Sequence, residues 1–129
     1  MEMNITYNSG TRFDAQTRAH TIIVDQPKEG GGQDQGPTPP ELFVASLGSC
    51  IGIYALWFCQ KRKIPFEGMK ININWSKSTT PPARVDLIEA NIVLPKGCPE
   101  EHKTHLIASV EKCLVHNSII QAPEIKITV

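Results

Sequence analysis

Apolar and polar positions alternate over Met3–Tyr7, and Asn8-Ser9-Gly10 then reads as a turn. Arg12–Ala15 and His20–Asp25 continue the pattern as two further short strands joined through Thr17-Arg18, so the first part of the chain predicts an antiparallel meander. From Gln26 to Pro39 the chain is rich in glycine and proline and has nothing apolar to bury. A connection of that length is expected either to move or to line a site. The pattern then changes completely. Pro39 to Lys63 carries no charge between Glu41 and Gln60, after which Lys61-Arg62-Lys63 follow at once. Pro39-Pro40 suits a first helical turn, Ile64-Pro65 ends the run, and a helix apolar on all sides is expected to be buried on every side.

The run reaches the lower limit for a membrane span. Ser46, Gly48, Ser49 and Cys50 weaken its centre and the flanks are amphipathic, which favours a buried core helix. Beyond it, Met69–Ser76 alternates without a break and puts Met69, Ile71, Ile73 and Trp75 on one face. Val85–Leu94 is a second strand whose register changes midway, so a bulge is expected near Leu87-Ile88. Pro99 opens a second helix with Glu100 and Glu101 in its first turn, and Leu106, Val110, Cys113 and Leu114 follow helical spacing up to Asn117. Glu124–Val129 alternates again and predicts a last strand. The order βββ-α-ββ-α-β groups its strands, which is α+β with antiparallel sheets around a long central helix.

The 129 residues suit a single domain, 1–129. Thirteen acidic and thirteen basic residues balance, so no electrostatic argument favours nucleic acid or an anionic membrane as partner. No basic segment followed by an apolar one opens the chain, which points to a cytoplasmic location. In that reducing compartment Cys50, Cys59, Cys98 and Cys113 are expected to be buried, catalytic or redox-active rather than a disulfide framework.

Cys59 is nine residues beyond Cys50, about half a turn out of phase and about 13 Å along one helix, so those two thiols cannot bond. Cys59 reads as a small core residue and Cys98 as a partly exposed loop thiol. Cys50 and Cys113 lie on apolar faces of two helices and could meet, or each could be inert packing. Cys50 sits too far into its helix for the dipole to ionise it. A reactive Cys50 therefore needs a cation, with Arg12 and Arg18 as candidates, and an acid to hold that cation. His102 and His105 have a spacing that can bind metal but lack a third ligand. His116 lies one turn beyond Cys113, where it could influence that thiol or favour the helix end.

Gly36–Cys50 (GPTPPELFVASLGSC) and Glu111–Ile120 (EKCLVHNSII) resemble the two signature stretches of the OsmC/Ohr family. The Ile23–Pro27 run IVDQP before the glycine-rich loop is similar to the general OsmC-like branch. The resemblance covers nearly the whole chain and implies an OsmC-like fold, an intertwined homodimer with the central helices buried, and a soluble protein. It implies thiol-dependent reduction of organic hydroperoxides, with Cys50 attacking the peroxide and Cys113 resolving it, and a dithiol reductant such as one of the lipoyl type. The resemblance places an activating arginine nearer Asn8 to Gly10, with Arg12 the nearby candidate to activate Cys50 and Glu41 the acid that would hold it. Glu41 stands one residue nearer the first cysteine than the family's arginine-holding glutamate, and Leu114 follows the second cysteine where proline is frequent. No cofactor or metal is implied. An apolar pocket walled by Phe43, Ile51 or Trp57 would favour alkyl hydroperoxides. The alternative on the same fold is a non-enzymatic protein that binds a small apolar ligand or senses redox state.

Overall fold

A computed structural model describes all residues, 1–129. It falls into two compact units, 1–43 and 44–129. In the first, β1 (Asn4–Ser9), β2 (Arg12–Thr17) and β3 (His20–Val24) form the expected antiparallel meander in the order β1-β2-β3. Ile5 opposes Ala15, Tyr7 opposes Phe13, and on the other side Phe13 meets Val24 and Ala15 meets Ile22. Directly opposed residues share a face, so these six make one apolar face. The Tyr7 and Phe13 rings meet edge to face at 5.6 Å. Gly10 and Arg18, both at positive φ, turn the two hairpins.

The connection after β3 is ordered. Lys28–Gly30 forms a single 3₁₀ turn, and the backbone N–H groups of Gly32 and Asp34 donate to the carbonyls of Pro27 and Gln26. Two glycines are sterically required. A Cβ on Gly32 would stand 2.0 Å from the Gln26 carbonyl oxygen, and one on Gly36 would stand 2.2 Å from that of Ile23.

The long helix α1 (Pro39–Arg62) runs from this connection into the second unit. Thr38 and Glu41 close its first turn. The Glu41 carboxylate accepts from the Thr38 backbone N–H at 2.7 Å and from its hydroxyl at 2.8 Å, the backbone bond being that of a capping box. The helix is long and apolar enough to cross a membrane, yet one side of it packs into a protein core. It buries Val44, Leu47, Gly48, Ile51, Ala55 and Cys59, whose spacing traces one stripe. Ile53 and Trp57 stay 47% and 56% exposed. Burial on every side, expected from the uncharged run, is therefore corrected: a single chain has enough apolar surface to cover one face only.

That stripe meets a hairpin, β4 (Lys70–Lys77) and β5 (Val85–Val93), and two helices, α2 (Glu100–Val110) and α3 (Leu114–Ile120). Met69, Ile71, Ile73 and Trp75 turn inward as their alternation predicts. Ser76 pairs with Leu87 and Lys77 with Val85, so the bulge falls at Asp86, slightly ahead of the expected place. The helix comes close to the sheet at Gly48, where a Cβ would lie 2.5 Å from the Ile73 methyl end. Leu106, 5% exposed, is the plug between α2 and this core. Leu106→Ala is expected to cost about 3 kcal/mol of stability, read from denaturant unfolding, because such a site collapses only partly around the void.

Two sequence expectations give way in this unit. The second helix does not run to Asn117: it breaks after Val110, and Cys113 is extended, with φ −65° and ψ 144°, before α3 begins. Side chains from α3 turn back on the end of α2 and satisfy its carbonyls. His116 Nδ1 lies 2.8 Å from the Glu111 oxygen, and Asn117 Nδ2 donates to Lys112 at 3.2 Å. The closing strand is also absent. Glu124–Val129 pairs with nothing, and Ile125 and Ile127 are exposed, because alternation encodes two faces but a strand needs an edge to pair with. The order is therefore βββ-α-ββ-α-α.

Candidate functional site

The α2–α3 break positions the site. Extending the backbone at Cys113 makes its sulfur the cap of α3, where it accepts the His116 backbone N–H at 3.2 Å. It also places the thiol, fully buried, beside Cys50 from the middle of α1. Burial pushes the Cys113 thiol up, and the neighbouring Cys50 pushes it further, while the His116 N–H pulls it back. Burial and the neighbouring Cys50 thus favour the protonated thiol at Cys113, while Cys50 itself is half-buried. Both thiols are free. The two cysteines singled out by sequence are neighbours in the fold.

An apolar cavity of about 350 Å³ is lined by residues that neighbour the two cysteines along the chain, though by neither cysteine itself. Leu47 and Ile51, on either side of Cys50 in α1, form one wall, Ile88 and Ile92 of β5 another, and Val110 and His116 the end nearest Cys113. Ile51 is a wall residue as expected, whereas Trp57 and Phe43 are exposed side chains. His116 Nδ1 donates to the Glu111 carbonyl, since a carbonyl only accepts.

The other cysteines behave differently. Cys59 has no exposure, and burial, then the nearby Cys98, raise its pKa. Cys98 is half-buried in the loop before α2 and is raised by burial. Neither has an environment that would favour a thiolate. His105 Nδ1 turns to the Glu101 carbonyl at 3.3 Å, and His102 packs edge-on to Phe58 at 6.2 Å.

Arg12 and Glu41 belong to the first unit. Arg12 is gripped by Asp14, with Nε to Oδ1 at 2.7 Å and Nη2 to Oδ2 at 3.0 Å, and Nη1 donates to Gln35 at 2.7 Å. The acid on the arginine is thus Asp14, two residues away on the same strand. Its pKa is lowered by the Arg12 bond, as that of Arg12 is raised by Asp14. Arg18 sits in the β2–β3 turn.

The residue that sequence reasoning missed is Asp25. It is 1% exposed, and its carboxylate accepts from the Thr11 hydroxyl at 2.6 Å and from the backbone N–H groups of Gln26, Gln33 and Gln35 at 2.8, 3.1 and 3.2 Å. The Thr11 bond, then those backbone bonds, hold it down at about 2 against the cost of burial. An acid whose pKa is lower when folded stabilises the fold above its ordinary range near 4 and ceases to do so below about 2. The wild type should therefore lose stability across that interval, and Asp25→Asn should flatten this part of the profile, measured by unfolding at a series of acid pH values. The signal available in sequence was an aspartate directly before a glycine-rich loop, a residue type that commonly ties such backbones.

A family model described as OsmC-like protein matches residues 31–128. Comparison with curated protein sequences finds no match. Among solved structures, a Psychrobacter arcticus protein described for osmotic stress and detoxification response is similar, with a TM-score of 0.81 at 20% identity over 90% of this chain and 85% of that one. An OsmC-like protein from Mycoplasma pneumoniae superposes with a TM-score of 0.77 at 20% identity, covering 94% and 87% of the two chains. An organic hydroperoxide resistance protein OsmC from Legionella pneumophila gives 0.63 at 21% identity, over 92% and 89%.

Proposed function

The chain belongs to the OsmC family, and from that premise we propose that it is a cytoplasmic thiol peroxidase that reduces organic hydroperoxides to alcohols. The observation that carries the reading is that Cys50 and Cys113 are neighbours, and an apolar cavity walled by residues close to them in the chain supports it. The Cys50 thiolate attacks the distal peroxide oxygen, the O–O bond breaks, and the alkoxide leaves with a proton as the alcohol. Cys50 is then a sulfenic acid. Cys113, already against it, loses its proton and attacks that sulfur, and the hydroxyl group departs as water to leave a disulfide. An external thiol reductant, a dithiol in the family resemblance, returns both sulfurs by exchange. The half-buried thiol meets the peroxide and the buried one resolves it, which matches the order of exposure.

The cavity supports an alkyl substrate, because its walls offer aliphatic contact where hydrogen peroxide would gain nothing. A homodimer is part of the proposal. It is supported by the exposed Ile53 and Trp57 on α1 and by the unpaired alternating segment Glu124–Val129, surfaces that a second copy could cover.

The test is intact mass and peptide mapping after one equivalent of tert-butyl hydroperoxide. A rapid Cys50–Cys113 disulfide is expected. Four unmodified cysteines would overturn the reading and favour an apolar-ligand binder, for which the cavity is equally shaped.

A further inference from the structure

The two cysteines that the proposed cycle leaves out are also neighbours, at the C-terminal end of α1. Cys59, in the last turn of that helix, has no exposure and belongs to the core with Ile64, Leu94 and Leu106. Cys98 is half-buried in the loop between β5 and α2 and packs against the same cluster. Hydrogen bonds fix both backbones. The Cys59 carbonyl accepts from the Ile64 N–H at 2.9 Å where α1 ends, and the Gly97 N–H donates to the Leu94 carbonyl at 3.0 Å to turn the loop that presents Cys98. Flanking side chains hold the two segments together. The Phe58 ring, one residue before Cys59, meets His102 in the first turn of α2 edge to face at 6.2 Å, and the Arg62 guanidinium lies over the same ring at 5.4 Å.

We propose that Cys59 and Cys98 form a second redox centre, a dithiol that a small-molecule disulfide oxidises to an internal disulfide through a mixed disulfide on Cys98. The proposal does not depend on the peroxidase reading. Exposure sets the order of the two thiols, since Cys98 is reached from solvent and Cys59 is reached only from Cys98. The Cys98 thiolate attacks one sulfur of the small disulfide, the S–S bond breaks, and the other half leaves as a thiolate that takes up a proton. Cys59 then loses its proton and attacks the Cys98 sulfur, and the second half leaves in the same way. The small disulfide is reduced to two thiols, and two protein thiols are oxidised to one disulfide. The surroundings make this centre slow. Burial raises both thiols, Glu100 and Glu101 oppose the Cys98 thiolate, and Lys103, which favours it, is held by Glu100 at 2.6 Å. A thiol of raised pKa is scarcely ionised, yet the thiolate it does form is a strong nucleophile toward sulfur. Closing the bond ties α1, which carries Cys50, to α2, which leads to Cys113.

The test incubates the reduced full-length protein with excess 2-hydroxyethyl disulfide, quenches it with iodoacetamide in denaturant, and maps the chymotryptic peptides. Tyr54 and Trp57 lie between Cys50 and Cys59, so cleavage there reports the two thiols of α1 separately. In the wild type a Cys59–Cys98 link is expected, within one chain by non-reducing electrophoresis. In Cys59→Ala the hydroxyethylthio group should stay on Cys98 and outlast the wild-type mixed disulfide by about tenfold or more, because its intramolecular attacker is gone. In Cys98→Ser, Cys59 should remain unmodified. A mixed disulfide that persists on Cys98 in the wild type, a link between two chains, or direct modification of Cys59 in Cys98→Ser would each overturn the proposal. The wild-type map decides even where a variant folds poorly. Cys50 and Cys113 are read in the same digest, so a failure of hydroperoxide to oxidise that pair leaves the result at Cys59 and Cys98 intact.

Discussion

Cys50→Ser is expected to abolish hydroperoxide turnover, by about three orders of magnitude or more, while leaving the fold intact. An alcohol is a far weaker nucleophile than a thiolate near neutral pH, so a serine hydroxyl does not replace the thiol in the attack on the peroxide. Serine is close in size to cysteine, and at a half-buried position the swap leaves no large void. Cys113→Ser should behave differently. Its first turnover should proceed at near the normal rate, because Cys50 still attacks the peroxide. The sulfenic acid then lacks a partner, and with continued exposure it should advance to the sulfinic acid, seen by mass as added oxygen on the Cys50 peptide. The pair of outcomes separates attack from resolution. Equal residual activity in both variants would contradict the assigned roles, and full activity in Cys50→Ser would remove the thiol mechanism altogether.

The second large effect falls far along the chain from either thiol. Gly32→Ala should destabilise the protein by about 3 kcal/mol, measured by denaturant unfolding, since its methyl would occupy the space of the Gln26 carbonyl. Side chains can rotate away from a new methyl group. A carbonyl oxygen 2.0 Å from it moves only with the backbone, and the backbone here is fixed from both sides. Gln26 and Gln33 both donate to the Asp25 carboxylate, and Asp34 donates to Gln26. Gly10→Ala is the control. Its position has open space and only a positive φ to oppose the change, so the cost should be near 1 kcal/mol. Similar losses for both variants would mean that the loop yields more readily than its hydrogen bonds imply.

Much of this was legible in advance. The alternation of Met69, Ile71, Ile73 and Trp75 fixed the inward face of β4, since period two leaves a strand only one way to bury them. That Cys50 and Cys113 could meet was also open in the sequence, although the helical stripe assigned to Cys113 ends before it. Other features were hidden for identifiable reasons. The α2–α3 break was missed because the thiol is not among the side chains that ordinarily start a helix, and helical spacing runs straight through Cys113. Ile53 and Trp57 look like core residues in sequence, because hydropathy does not say whether one chain supplies enough surface to cover them. The Asp14 grip on Arg12 is a same-face contact two residues along a strand, easily passed over when a distant acid is being sought. Asp25 reads as one more polar loop residue, and its burial depends on backbone amides that a sequence does not display.

That buried carboxylate changes what can happen to the segment after β3. Surface connections ordinarily absorb insertions at little cost, and a stretch with this composition looks like the natural place for one. Here the spacing is a measured length. Gln33 and Gln35 reach the same carboxylate oxygen from positions two apart, and Gly32 and Gly36 each lie against a carbonyl with no room for a side chain. One residue added between Gly30 and Gln33 shifts both amides and both glycines out of phase together. The segment should therefore resist lengthening as strictly as a core strand does, and a tag or epitope spliced there should cost the fold. The same insertion placed at Thr79-Thr80, where the chain turns exposed between β4 and β5, should be tolerated.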